Sequence, residues 1–202
     1  MTIDLPGFTD PVAQAQSTFR ALLDAMSRPG TIHPAGTGLT PPAPLNPATA
    51  AALLTLVDGD ASLHIAPDLA PDLAPDLAPD WAAAHDWLVF HCGTSPSPAP
   101  AADFVVTQTL PNLATLSAGT DEAPERSTTL ILQVAALGTG PAWRLAGPGL
   151  KTPTTLHVTG LPADFAALWA ANHALFPRGI DLVLCAGTRL AALPRTTTVS
   201  EA

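Results

Sequence analysis

The segment IDLVLCAG, residues 180–187, is an almost unbroken apolar run that ends at a glycine. Such a run is typical of a strand buried on both faces, because a half-buried strand would alternate apolar with polar residues. DFVVTQT at 103–109 and TLILQVAAL at 129–137 have the same character. These three segments predict a central sheet that is covered on both sides, with 180–187 as its last strand in the chain.

Helices and shorter strands are predicted around these segments. Asp10 followed by Pro11 is a typical helix start, and apolar residues then recur at helical spacing as far as Met26. Asn46 and Pro47 repeat the start signal before an apolar helix through 51–57. Further patterns predict a strand at 62–65, hairpin strands at 142–147 and 154–160, and helices at 82–92 (capped by Asp80), 111–117 and 162–175.

The order of these elements predicts the fold class. Helices alternate with apolar strands and a hairpin interrupts the second half, which favours an α/β fold of three layers, with a mixed β-sheet between helices. A chain of 202 residues suits one domain, which buries roughly 70% of its unfolded surface. We therefore predict a single domain over 1–202.

A low-complexity tract interrupts this pattern. APDLAPDLAPDLAPDW, at 66–81, repeats a four-residue unit four times. A proline in every fourth position is incompatible with a regular helix or a central strand. The loop at 66–80 is therefore predicted to lie on the surface, the less favoured alternative being a docking motif anchored by its leucines.

Composition excludes several classes of function. The net charge of -9 disfavours binding to nucleic acid or to anionic membrane surfaces, and no apolar run approaches the roughly 20 residues of a membrane span. The start, MTIDLPGFTD, lacks the features of a secretory signal, so we expect a cytoplasmic protein with two unpaired thiols, Cys92 and Cys185.

Familiar catalytic and metal-binding patterns are weak in this sequence. GPGLKT at 147–152 lacks the spacing and the GK[ST] ending of a phosphate-binding loop, and a tight turn is the favoured interpretation. His85 and His91 are metal-ligand types, but on a helix they point to different faces. There is no GxSxG sequence around a nucleophile. The catalytic residues are therefore left unassigned, and no metal site is expected.

Three arginines stand beside prolines and suggest a site for an anion. Arg28 lies in SRPG, Arg178 in FPRG and Arg195 in LPRTT, near the end of the chain. Proline fixes the local backbone, and a guanidinium group matches the oxygens of phosphate or phosphonate. We predict that these arginines converge, with the hydroxyls of Thr196 and Thr197 assisting. The alternatives are that each arginine satisfies helix-end carbonyls or an acidic neighbour, or that LPRTT contacts a partner subunit.

The sequence resembles a known family, PhnH, a subunit of the bacterial carbon-phosphorus lyase system for phosphonate use. The resemblance extends in order over nearly the whole sequence, and its first and last segments are specific. The matching segments are GFTDPVAQAQSTFRALLDAMSRPG, AHDWLVFHCG, ADFVV, LAGPGL, NHALFPRGIDLVLCAG and LPRTT.

The resemblance implies a fold similar to the large domain of pyridoxal-phosphate-dependent transferases, without that cofactor. It also implies a homodimer that joins the G, I and J subunits, with phosphonate or nucleotide as a further ligand within the complex. The implied role is that of an accessory subunit in forming ribose 1-alkylphosphonate 5-triphosphate from ATP and alkylphosphonate. A subunit of this kind is not expected to be catalytic alone.

Two other classes of function stay open on the sequence. One is a free-standing enzyme that acts on a small phosphorylated metabolite, and the other is a binding protein for such a metabolite. Turnover by the purified chain distinguishes an enzyme from an accessory subunit, and effector binding without partner subunits indicates the binding protein.

Overall fold

The computed structural model describes residues 6–66 and 79–202. The four α-helices in these ranges are α1 Pro11–Ser27, α2 Pro47–Leu56, α3 Pro79–Cys92 and α4 Phe165–His173. The ten strands are β1 His33–Pro34, β2 Ser62–Ile65, β3 Ser95–Pro96, β4 Phe104–Thr107, β5 Thr129–Gln133, β6 Ala136–Ala146, β7 Thr154–Thr159, β8 Asp181–Ala186, β9 Arg189–Leu193 and β10 Thr198–Glu201. The loop prediction for the APDL repeat falls mostly outside the described residues and stays a prediction.

The predicted starts of the first two helices are confirmed. The Asp10 carboxylate accepts a hydrogen bond from the Ala13 backbone N–H at 3.0 Å, and the Asn46 side chain accepts one from the Thr49 N–H at 2.9 Å. Each cap satisfies a backbone donor that the helix itself leaves unpaired. The predicted cap at Asp80 is wrong, because α3 already begins at Pro79.

A seven-stranded mixed sheet forms the centre, in the order β1-β9-β8-β5-β4-β2-β3. Strands β2, β4, β5 and β8 run parallel, whereas β9 is antiparallel to both of its neighbours. All parallel strands therefore begin at one edge of the sheet, called here the amino edge, and end at the opposite, carboxyl edge. The predicted α/β fold with a mixed sheet is confirmed.

Both faces of the large sheet are buried, and successive residues of its strands pack into different cores. On one face, Val106, Ile131 and Val183 pack with side chains of α1, α2 and α3. On the other face, Val105, Leu130 and Leu182 pack against α4 and a three-stranded antiparallel sheet of order β10-β6-β7. The second outer layer, predicted to be helical, is therefore a small sheet with one helix beside it.

Several predicted boundaries are corrected at the crossing between the two sheets. The segment 129–137 is not one strand, because the backbone N–H of Val134 bonds to Cys185 O in the large sheet while that of Ala135 bonds to Thr159 O in the small one. The predicted helix at 111–117 is a 3-10 turn, Leu113–Thr115, and the helix predicted at 162–175 is the shorter α4.

The segment 180–187 is not the last strand of the chain. Gly187 has a φ of +56°, a left-handed conformation that glycine adopts easily, and the chain reverses there into β9. The final strand, β10, then joins the small sheet beside β6. None of the helices within 6–66 and 79–202 combines the length and the hydropathy needed to cross a bilayer.

Candidate functional site

The hairpin of β8 and β9 determines where Arg195 lies. In its register Leu182 is opposite Leu193, so the chain that leaves β9 arrives beside the first residue of β8, Asp181. Arg195 therefore returns to the amino edge of the large sheet. The expectation that Arg195 is anchored rather than frayed is confirmed.

The Arg195 side chain is only 13% exposed, and its guanidinium group is engaged on three sides. Nη2 lies 2.5 Å from Asp181 Oδ2 and also donates to Ser127 Oγ at 2.7 Å. Nε donates to Asp181 Oδ1 at 3.2 Å, and Nη1 donates to Pro124 O at 2.6 Å. Four of the five guanidinium N–H donors are thus accounted for within the protein.

The backbone of LPRTT is fixed as firmly as its arginine. The Arg195 N–H donates to Asp181 Oδ1 at 2.8 Å, and His173 Nδ1 lies 2.9 Å from Arg195 O. The buried Trp169 indole N–H donates to Thr197 O at 2.8 Å. Side chains from α4 and β8 therefore hold this segment, which we call the LPRTT corner (residues 193–197).

The charge of Arg195 is already neutralised in this corner. Asp181 is 24% exposed and contributes both carboxylate oxygens to the pair. A phosphoryl or phosphonate group would have to displace this carboxylate to reach the guanidinium group. Thr197 is fully buried and its hydroxyl has no hydrogen-bond partner, so this oxygen faces the interior and not solvent.

Arg28 follows the end of α1 and pairs with a residue of its own helix. Its Nη2 lies 2.8 Å from Asp24 Oδ1, and both side chains are at least half exposed. The pair is thus a surface contact of spacing i,i+4, with a small effect on stability.

The GPGLKT segment (residues 147–152) packs between the end of α1 and the LPRTT corner. It forms the turn between β6 and β7, as predicted. A Cβ at Gly149 would lie 2.1 Å from Ser27 O, and a Cβ at Gly147 would lie 2.8 Å from Thr196 O. These positions need glycine because the backbone approaches both segments too closely for a side chain.

The paired arginines do not identify a function, so the sequence was compared with those of known proteins. The sequence model of PhnH, described as a bacterial phosphonate metabolism protein, matches residues 6–200. The chain belongs to the PhnH family.

Two relatives of this PhnH-family chain extend the comparison. It is 43% identical over 194 residues to the alpha-D-ribose 1-methylphosphonate 5-triphosphate synthase subunit PhnH of Rhizobium meliloti (strain 1021), with 94% of this chain and 92% of the relative covered. It is 33% identical over 186 residues to HtxG of Stutzerimonas stutzeri, provisionally named as a C-P lyase subunit protein, with 92% and 85% covered. The similarity therefore extends over nearly the full length of each protein.

Arg178 is the third predicted anion ligand in the PhnH-family chain, and it too lies beside an aspartate. Its Nε is 3.0 Å from Asp121 Oδ1, although the Nε–H makes no hydrogen bond in this geometry. The Arg178 side chain is 41% exposed and that of Asp121 is 76% exposed. The three predicted arginines are thus paired with three different aspartates, and their convergence on one anion stays a prediction.

The side-chain partners of Arg195 in the LPRTT corner were not predicted from the sequence. Asp181 opens an apolar strand, and Ser127 ends a polar loop, so neither belongs to a recognisable motif. Only the hairpin register, which sequence reasoning did not predict, places Asp181 beside Arg195. Within 6–66 and 79–202, no three histidine, cysteine, aspartate or glutamate side chains are grouped so that they could hold a metal ion.

Proposed function

We propose that this chain is an accessory subunit of a carbon-phosphorus lyase core complex. In this role it supports the formation of ribose 1-alkylphosphonate 5-triphosphate from ATP and alkylphosphonate. The observation that carries the proposal is the 43% identity, over nearly the full length of both proteins, to a named subunit of the synthase.

The partners in this proposal are a second copy of the chain and the G, I and J subunits, in the cytoplasm. An exposed apolar stripe on α1 supports an association surface: Val12 is 80% exposed, Phe19 51% and Leu23 57%. These residues recur on one side of the helix, and an apolar patch of this kind favours protein contact. We assign the stripe to the homodimer. Light scattering of the Leu23→Glu variant tests this, with a monomer expected and an unchanged dimer contradicting the assignment.

The proposal includes a fold similar to the large domain of pyridoxal-phosphate-dependent transferases. Lys151 is the only lysine of the sequence and lies exposed in the turn between β6 and β7. Enzymes of that class need a lysine for the Schiff base in the cofactor site, so the residues present do not fit covalent binding of the cofactor. A pyridoxyl group found on Lys151 after borohydride reduction would contradict this part of the proposal.

Phosphonate or nucleotide oxygens are proposed to contact this subunit only within the assembled complex, at Arg28 or Arg178. These side chains are 56% and 41% exposed, whereas Arg195 is 13% exposed and neutralised by Asp181. Thr196 also stays a candidate ligand through its hydroxyl group. The alternative of a free-standing enzyme or binding protein for a phosphorylated metabolite requires a site that operates without partner subunits.

Co-purification and turnover test the proposal together. A tagged form of this chain is co-expressed with the G, I and J subunits, and consumption of ATP with methylphosphonate is then measured. We expect a stable complex that is active, an inactive complex when this chain is omitted, and no turnover by the chain alone. Turnover by the purified chain, or full activity of the other subunits without it, would reject the accessory role.

A further inference from the structure

A second polar region lies at the carboxyl edge of the large sheet, opposite the LPRTT corner. It is a cleft of about 440 Å³ just beyond the ends of β4, β5 and β8, lined by residues that include Pro44, Asn46, Gln108, Gln133 and Ala135. Ligands of open α/β sheets characteristically bind outside the carboxyl ends of parallel strands, and this volume lies in the usual range for small-molecule sites.

Gln133 fixes the polar wall of the cleft. The residue is 6% exposed, and its carboxamide is oriented by two backbone partners. Oε1 accepts a hydrogen bond from the Asn46 N–H at 2.7 Å, and Nε2 donates one to Pro44 O at 3.1 Å. A carboxamide has two donor and two acceptor positions. One donor and one acceptor position of Gln133 are therefore left for a ligand, with their orientation already determined.

Among residues 6–66 and 79–202, no group lining the cleft would neutralise an anion. None of the lining residues in these ranges carries a charge. The helix α2 begins at this edge, but Pro47 has no N–H, and the N–H groups of Ala48, Thr49 and Ala50 already bond to Gly187 O, Asn46 Oδ1 and Asn46 O. A phosphate or phosphonate here would lose its hydration without a compensating charge or free helix donor.

We propose that this cleft binds an uncharged heterocyclic base, of the purine or pyrimidine class. A glutamine carboxamide presents a donor beside an acceptor, the arrangement that pairs with the edge of such a ring. Gln133 supplies the polar contacts, from the positions that its two backbone partners leave open. The aliphatic side chains of Pro44, Val134 and Ala135 line the same cleft and favour the flat apolar face of a ring over a polyhydroxylated sugar.

The ligand class is tested by saturation-transfer NMR on the purified full-length chain. The probes are adenine, uracil, ribose and methylphosphonate, each at millimolar concentration, because each carries C–H protons to which saturation can be transferred. We expect saturation transfer to the ring protons of at least one base, and none to the protons of ribose or methylphosphonate. Binding of ribose or methylphosphonate in preference to both bases, or binding of no base, overturns the proposal.

Variants test the location of the site. Ala135 is exposed and its backbone N–H bonds to Thr159 O, so Ala135→Trp fills the cleft without removing that bond. We expect Ala135→Trp to weaken base binding at least about tenfold, the scale of one lost base contact, and the smaller Ala135→Leu to weaken it measurably. Ala101→Trp and Ala101→Leu, at an exposed position outside the cleft, serve as matched controls and should bind normally.

Unchanged base binding by a folded Ala135→Trp variant, with the fold checked by circular dichroism, would overturn the assignment of the cleft. If that variant does not fold, Ala135→Leu decides, since normal binding by it also overturns the assignment. The proposal is independent of the accessory role, because co-purification with the other subunits does not require the cleft. The two hypotheses can therefore fail separately.

Discussion

The two edges of the large sheet use polar residues in opposite ways. At the amino edge, Arg195 and Asp181 form a charged pair in which four of the five guanidinium donors are bonded within the protein. At the carboxyl edge, Gln133 and its neighbours form an uncharged cleft whose central carboxamide keeps bonding positions for a ligand. The charged LPRTT motif is thus engaged in contacts within the fold, whereas the described residues that line the proposed cleft carry no charge and form no recognisable sequence motif.

Removal of Arg195 is the largest change we expect. Arg195→Ala leaves Asp181 partly buried without its partner and removes the bonds to Pro124 and Ser127. Loss of one partner of a buried ion pair costs about 3 kcal/mol or more, so we expect a decrease of about 3 kcal/mol in the free energy of unfolding. Urea denaturation measures this decrease. A loss below about 1 kcal/mol would mean that the amino edge does not depend on the pair.

Asn172 tests whether the corner depends on more than its charge. The Asn172 side chain donates to Ile180 O at 3.0 Å and accepts from the Ile180 N–H at 2.9 Å, joining α4 to the start of β8. Asn172→Ala leaves two buried backbone groups unsatisfied, which predicts a loss of about 2 kcal/mol in urea denaturation. A change within experimental error would show that the corner does not depend on the Asn172 contacts between α4 and Ile180.

Arg28 provides the matched control for Arg195, since both are arginines beside a proline. Its partner Asp24 is exposed and lies on the same helix, so Arg28→Ala is expected to change the free energy of unfolding by less than about 0.5 kcal/mol. Thermal and urea unfolding both measure this difference. A loss as large as that for Arg195→Ala would remove the contrast between a surface pair and a buried one.

The two cysteines give the smallest predicted effect, and both are buried in the core, Cys92 at the end of α3 and Cys185 in β8. Burial raises the pKa of the Cys92 thiol to about 11, and burial, partly offset by the nearby Thr49 side chain, raises that of Cys185 to about 12. Both values exceed the roughly 8.5 of a free thiol, so unfolding becomes more favourable as the pH rises from that value towards 11. We expect no labelling by a thiol reagent at pH 8 unless denaturant is added, and rapid labelling of the native chain would contradict a closed interior.

Local patterns predicted the elements that depend on local chemistry. The caps at Asp10 and Asn46 and the doubly buried strands were predictable, because each follows from neighbouring residues. The crossing from the large to the small sheet at Val134 and Ala135 was not predictable, because the strand partner changes there while the sequence stays apolar. The partner of Arg195 lies 14 residues away across a hairpin, and the cleft combines residues as distant as Asn46 and Gln133. Such long-range pairings are decided by strand register, which single residues do not encode.

A double-mutant cycle on Arg195 and Asp181 tests most directly that the LPRTT corner is a structural anchor. The free energy of unfolding is measured for the wild type, Arg195→Ala, Asp181→Ala and the double variant, beside the same cycle on Arg28 and Asp24. We predict a coupling energy of about 1.5 kcal/mol or more for the first pair and less than about 0.5 kcal/mol for the second. Equal couplings, or none between Arg195 and Asp181, would contradict the account and leave Arg195 available for an anion.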